Sequence, residues 1–148
     1  MAGQPHATVC PIVQGSADIM RWDLGKAGAA DIISLYTTKP GGLYRARQMA
    51  AVAEAAGLRC NVNGSVETGV GNAANVHLAA AARAATLSCV IPVSTPAEHQ
   101  RGRLAGIYYR DDLVAQPFHF EDGCVAVPSG PGMGVAVDEV KVTRYRVS

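Results

Sequence analysis

A β-branched run followed by an Ala-rich stretch with helical spacing recurs along most of this chain, and that alternation leaves few folds open. Ala7 to Val13, Asp31 to Tyr36, Arg59 to Asn63 and Thr86 to Val93 read as strands, the last closed by Pro92. Ala17 to Ala27, Leu43 to Ala56 and Asn72 to Ala85 read as the helices between them. In the second helix Leu43, Ala46, Met49, Ala50 and Ala53 fall on one stripe at i, i+3, i+4 spacing, and Gly57 is a natural left-handed stop. Asp31 to Tyr36 is nearly all apolar, which predicts a parallel-sheet strand covered on both faces. Successive strands begin roughly 25 residues apart, the spacing of βα units joined by right-handed crossovers.

Four such units fit, whereas a closed eight-stranded β/α barrel takes about 250 residues. The expected fold class is therefore α/β, a partial (half) TIM-type barrel over residues 1–93. Four parallel strands without partners leave open edges and an uncovered inner face, so something is expected to cover them. Residues 94–148 change character. Phe118-His119-Phe120-Glu121 and Cys124-Val125-Ala126-Val127 flank Asp122-Gly123, a two-residue hairpin signal. This tail is too small for a core of its own and is expected to pack back on the rest.

Of the 148 residues, 49% are apolar and 17% charged, which argues against disorder. A net charge of +1 with no basic stripe gives no reason to expect nucleic acid. The Ala-rich stretch Val76 to Leu87 is interrupted by Arg83 and is too short to span a bilayer, so no membrane partner is expected. Met1 to His6 lacks a basic start followed by an apolar core, and a cytoplasmic protein is expected. Cys10, Cys60, Cys89 and Cys124 have no CxxC spacing and read as buried, reduced thiols. His77 reads as a packed or half-exposed helix residue, and His6, His99 and His119 have no identifiable partner.

Two strand-to-helix loops, Tyr36-Thr37-Thr38-Lys39-Pro40-Gly41-Gly42 and Asn61 through Gly71, occupy the positions that form the active face of a β/α barrel. With Gly28 to Leu35, Ala50 to Gly57, Glu121-Asp122-Gly123 and Gly130-Pro131-Gly132-Met133-Gly134-Val135, these loops make an ordered set covering nearly the whole chain. The set resembles the mandelate racemase and muconate lactonizing branch of the enolase superfamily, from about the fifth barrel strand onward. The resemblance implies that the tail returns to a capping domain. It also implies metal-assisted proton abstraction next to a carboxylate, giving racemisation, cycloisomerisation or dehydration. Magnesium enters by resemblance only, and no residue of this chain is assigned to it.

The resemblance also marks individual positions. The position of the family's acidic metal ligand after the fifth strand falls in Gln14 to Asp18, where Gln14 offers a neutral amide and Asp18 suits a helix start. The family's base position, three residues before the lysine of KxGG, is Tyr36. A phenol is a poor base at neutral pH unless a neighbour assists it, so an aromatic at the strand mouth explains Tyr36 as well. Lys39 is a second candidate base. Asn63 stands where racemase-type members have histidine; an amide carries no proton away but donates a hydrogen bond to a developing oxyanion. Glu67 is retained, and helix capping explains it about as well as chemistry does. An apolar Val90 stands near a position that is often acidic.

The candidate catalytic set is thus Tyr36, Lys39, Asn63 and Glu67. The chain is expected to be the C-terminal portion of such an enzyme, inactive by itself, with a small carboxylate as substrate. The alternative is a non-catalytic half-barrel module, self-associating as a homo-oligomer or completed by a complementing barrel half.

Overall fold

The computed structural model describes residues 31–64, 67–93 and 111–147. The expected strand Ala7 to Val13, the helix Ala17 to Ala27 and the Gln14 to Asp18 segment lie outside those residues, as does most of the connection after Ser94. Within them, β1 (Ile32–Leu35) leads to α1 (Leu43–Ala55), β2 (Arg59–Val62) and α2 (Gly69–Ala81). β3 (Phe120–Glu121), β4 (Cys124–Val125) and α3 (Glu139–Tyr145) follow. β1 and β2 are parallel, with Ile33 opposite Cys60 and Leu35 opposite Val62.

That register sorts the side chains by face. Ile33, Leu35, Cys60 and Val62 point the same way and meet Ala46, Met49, Ala50 and Ala53 of α1, with Leu78 of α2 and Ala84 closing the cluster. Small side chains on α1 let the helix lie close to the strands, so the expected stripe is the buried one. Leu35 and Val62 are fully buried, and each such side chain contributes about 1.5–3 kcal/mol by leaving water. Gly57 ends α1 with φ 70°, and the N–H groups of Gly57 and Leu58 satisfy the carbonyls of Glu54 and Ala53.

The opposite face of the sheet differs from the expectation of a strand covered on both sides. It carries Ile32, Ser34, Arg59, Asn61 and Asn63, and Ile32 is 36% exposed. The expected fourth strand is also corrected. Residues 86–93 follow the free edge of β2 without regular strand geometry and meet it as a single parallel bridge, Asn63 to Val90. The ladder is interrupted because Cys60 bonds to both Ala84 and Leu87, placing two residues between its partners where a regular parallel ladder has one. Among the described residues the architecture is α/β with no closed barrel.

α2 begins at Gly69, three residues earlier than its sequence pattern suggests, and stops at Ala81. Its first N–H, on Gly69, is taken by the Asp112 carboxylate at 2.8 Å, a cap from the far side of the chain that no local signal announces. The tail packs on α2 through Phe118, which meets Ala73 and Val76. Its hairpin forms as expected, with Asp122 and Gly123 both at positive φ. The charged end folds into α3, capped by the Asp138 side chain on the Val140 and Lys141 N–H groups. Cys60 is buried as expected, but Cys89 and Cys124 are exposed, since one lies on the irregular edge and the other in a two-residue hairpin strand.

Candidate functional site

The C-terminal ends of β1 and β2 lie side by side, because the Asn63 N–H donates to the Leu35 carbonyl at 2.8 Å. Tyr36 and Asn63 therefore leave adjacent strands at one rim. Beyond Tyr36 the loop turns sharply, closed by Gly42 N–H to Thr37 O at 2.8 Å and Gly41 N–H to Thr38 O at 3.2 Å. This turn returns Lys39 over its own strand end, with Nζ 3.4 Å from the Tyr36 ring centroid, a cation–π contact.

Glu67 joins the same rim from the second loop. The Thr38 hydroxyl donates to Glu67 Oε1 at 2.9 Å, so the residue next to Lys39 orients the carboxylate. Space for that carboxylate depends on glycine. A Cβ on Gly64 would stand 2.5 Å from Pro92 Cδ, 2.8 Å from Asn72 Oδ1 and 3.1 Å from Glu67 Oε2.

Asn63 points back along the open face of the sheet. Its Nδ2 donates to the Ser34 hydroxyl, while its Oδ1 accepts from Val90 N–H at 3.1 Å and from Asn61 Nδ2 at 3.3 Å. Asn63 thus ties three adjacent chain segments together. Asn61 Oδ1 is buried and has no hydrogen-bond partner, an unsatisfied acceptor on the same amide that donates to Asn63. Val90 supplies its backbone to this junction and leaves its side chain 66% exposed.

Sequence reasoning missed the groups beneath the rim. Thr37, Asn72 and Asn75 are all buried, the two amides completely. Asn75 Oδ1 accepts from the Thr37 hydroxyl at 2.7 Å and the Thr37 N–H at 3.3 Å. Asn75 Nδ2 donates to Asn72 Oδ1 at 3.3 Å, and Asn72 Nδ2 donates to the carbonyls of Glu67 at 2.8 Å and Pro92 at 2.9 Å. A signal did exist: two asparagines three apart in an Ala-rich helix oppose helix propensity and call for a tertiary reason.

His77 is half-buried and bonds through Nε2 to the Met133 carbonyl at 3.1 Å, a tie between α2 and the glycine-rich tail loop, in keeping with a packed helix residue. At the outer side of α2, Lys141 Nζ lies 2.8 Å from Asp111 Oδ1 and donates to the Asp112 carbonyl at 3.0 Å. The Tyr145 hydroxyl donates to Asp111 Oδ2 at 3.0 Å. The Lys141 ammonium holds the Asp111 carboxyl below the usual carboxylate range, with the Tyr145 and Asp112 N–H donors adding to the effect.

The described residues do not fit a divalent cation by themselves: no group of three or more His, Cys, Asp or Glu among them is arranged to hold one. Among the described residues no helix is long and apolar enough to cross a membrane.

Residues 6–141 match the enolase C-terminal domain-like family. Muconate cycloisomerase 1 of Rhodococcus opacus is 35% identical over 116 residues, 78% of this chain and 28% of that protein. N-succinylamino acid racemase of Amycolatopsis is 33% identical over 127 residues, 82% of this chain and 31% of that protein. Among solved structures, 2-chloromuconate cycloisomerase from Rhodococcus opacus superposes with a TM-score of 0.73 at 28% identity, covering 90% of this chain and 32% of that one. The chain thus spans less than a third of the length of these relatives. It belongs to the enolase C-terminal domain-like family, in the mandelate racemase and muconate lactonizing branch of the enolase superfamily.

Proposed function

We propose that this chain supplies the C-terminal strands of a cytoplasmic enzyme that removes a proton next to a carboxylate, leading to racemisation, cycloisomerisation or dehydration. Residues 1–93 would form half of a TIM-type barrel and residues 94–148 would return to a capping domain. The observation that carries the reading is one rim at the ends of adjacent parallel strands: Lys39 lies over Tyr36, Thr38 beside Lys39 bonds to Glu67, and the Asn63 N–H bonds to Leu35, the residue before Tyr36. On a β/α barrel that rim is where catalytic residues stand.

In this reading the Lys39 ammonium, held over the Tyr36 ring, pairs with a substrate carboxylate. Thr38 fixes the Glu67 carboxylate beside it, and Asn63 stiffens the floor. The substrate is a small carboxylate; relatives are named for muconates and N-succinylamino acids. Magnesium is the family's cofactor by resemblance. The described residues do not hold it by themselves, and the chain alone is proposed to be inactive.

Titrating the isotope-labelled chain with an N-succinylamino acid, and separately with muconate, tests the site assignment. Resonance shifts confined to Tyr36, Lys39, Asn63 and Glu67 support it; shifts only elsewhere refute it. Exchange of the substrate's α-proton in D2O by this chain alone would refute its inactivity.

A second reading, a self-associating half barrel, is favoured by the open sheet face with exposed Ile32 and by Val90 at its edge. Light scattering at several concentrations separates the two. A compact dimer indifferent to magnesium supports the module; a heterogeneous, aggregating sample supports the incomplete enzyme.

A further inference from the structure

Three of the bonds under the rim involve backbone groups that have only one choice. The Thr37 N–H can only donate, so the atom of Asn75 facing it must be the carbonyl oxygen. The Glu67 and Pro92 carbonyls can only accept, so the atom of Asn72 facing them must be the amide nitrogen. With both ends fixed, Asn75 Nδ2 meets Asn72 Oδ1 as donor and acceptor. All bonds then run in one direction, from Thr37 through Asn75 and Asn72 to Glu67 and Pro92. Such a chain polarises cumulatively and has a unique arrangement.

We propose that Asn75 and Asn72 are positioning residues, a neutral amide strut that sets the Lys39–Tyr36 pair against the Glu67 loop. The proposal rests on the reading of Lys39, Tyr36 and Glu67 given above. Three features favour positioning over simple core filling. The strut contacts both loops while itself lying on α2, a rigid element. It is fully buried, so solvent does not compete for its bonds. It also reaches Glu67 through the backbone, leaving the carboxylate to Thr38 on the loop at the other end of the strut.

The test uses the full chain and a local signature. A methylene stacked on an aromatic face is shielded, so the Lys39 ε-protons resonate upfield of those of Lys141, and Tyr36→Leu gives the unstacked value. Thr37→Val keeps the shape but removes the hydroxyl donor; Thr37→Ser restores it; Asn75→Ala removes the strut's first member. The expected result is that T37V and N75A lose at least half of the upfield displacement, T37S keeps it, and the methyl shifts of Leu35, Val62 and Leu78 remain native in all three. Persistence of the displacement in T37V overturns the proposal. Loss of the folded core in T37V also overturns it, because the hydroxyl would then hold the fold and not the loop. If N75A fails to fold, T37V and T37S decide alone. Loss of the displacement in T37V, in a chain whose Lys39 ignores added N-succinylamino acid, supports the strut while retiring the functional reading of Lys39.

Discussion

Gly64 is confined on three sides, by the Pro92 ring, the Asn72 amide and the Glu67 carboxylate. Two of these belong to the groups under or on the rim, so even one methyl group at this position acts on the site directly. G64A is expected to destabilise the chain by about 1–3 kcal/mol through overpacking, measured by urea denaturation. Its crosspeak shifts should centre on Asn72 and Glu67; wild-type stability would show that the rim yields freely. Cys60 offers a second residue-scale test. Burial pushes its thiol up to about 11, so between an unfolded value near 8.5 and that figure only the unfolded chain ionises. Stability is full below about pH 8.5 and falls as pH rises toward 11. C60A is expected to flatten that alkaline slope, at the cost of a small cavity; an unchanged slope would assign it to another group. In native protein, alkylation should reach exposed Cys89 and Cys124 well before Cys60.

At the scale of elements, α1 was readable from sequence because local and tertiary signals agree: an apolar stripe, a glycine stop and small residues facing the sheet all mark the same segment. α2 was displaced because its start depends on Asp112, 43 residues away in sequence, which no window around Gly69 contains. The strand expected at Thr86 to Val93 shows the complementary failure. Its composition is strand-like, but its pairing is set by how Cys60 and Asn63 share their bonds. For the site, Tyr36, Lys39, Asn63 and Glu67 were legible as loop positions, whereas the amides joining those loops were hidden inside a helix that sequence reads as polyalanine-like. The expected consequence of D112A is a loss of about 0.5–2 kcal/mol, as for other lost caps, together with faster hydrogen exchange at Gly69 and its neighbours. Native exchange there would mean that solvent replaces the carboxylate without cost.

Across the whole molecule, the tail is tied to the α/β unit by an apolar contact at Phe118 and by the Asp112 carboxylate on the Gly69 N–H, while charges around Asp111 hold α3 to the start of the tail. The apolar contact and the Asp111 charges should respond differently to acid. The folded Asp111 carboxyl lies below its ordinary value, so its contribution to stability is complete above the unfolded value near 3.9 and is lost as pH falls through the folded one. Lowering the pH below about 4 is expected to loosen α3 first, seen as rising exchange over residues 139–145 while Leu35 and Val62 stay protected. K141M should remove that acid-dependent step. Simultaneous loss of both regions in the wild-type chain would show one cooperative unit without a separable tail.

Seen mechanically, the junction at Asp111 and Asp112 is a coupling in series. Asp111 holds α3 through Lys141 and Tyr145, and its neighbour Asp112 holds the first turn of α2. Tension applied from the C-terminal side is therefore delivered, through two adjacent carboxylates, to the turn that presents Glu67. A fusion or tether placed at that end loads the rim itself.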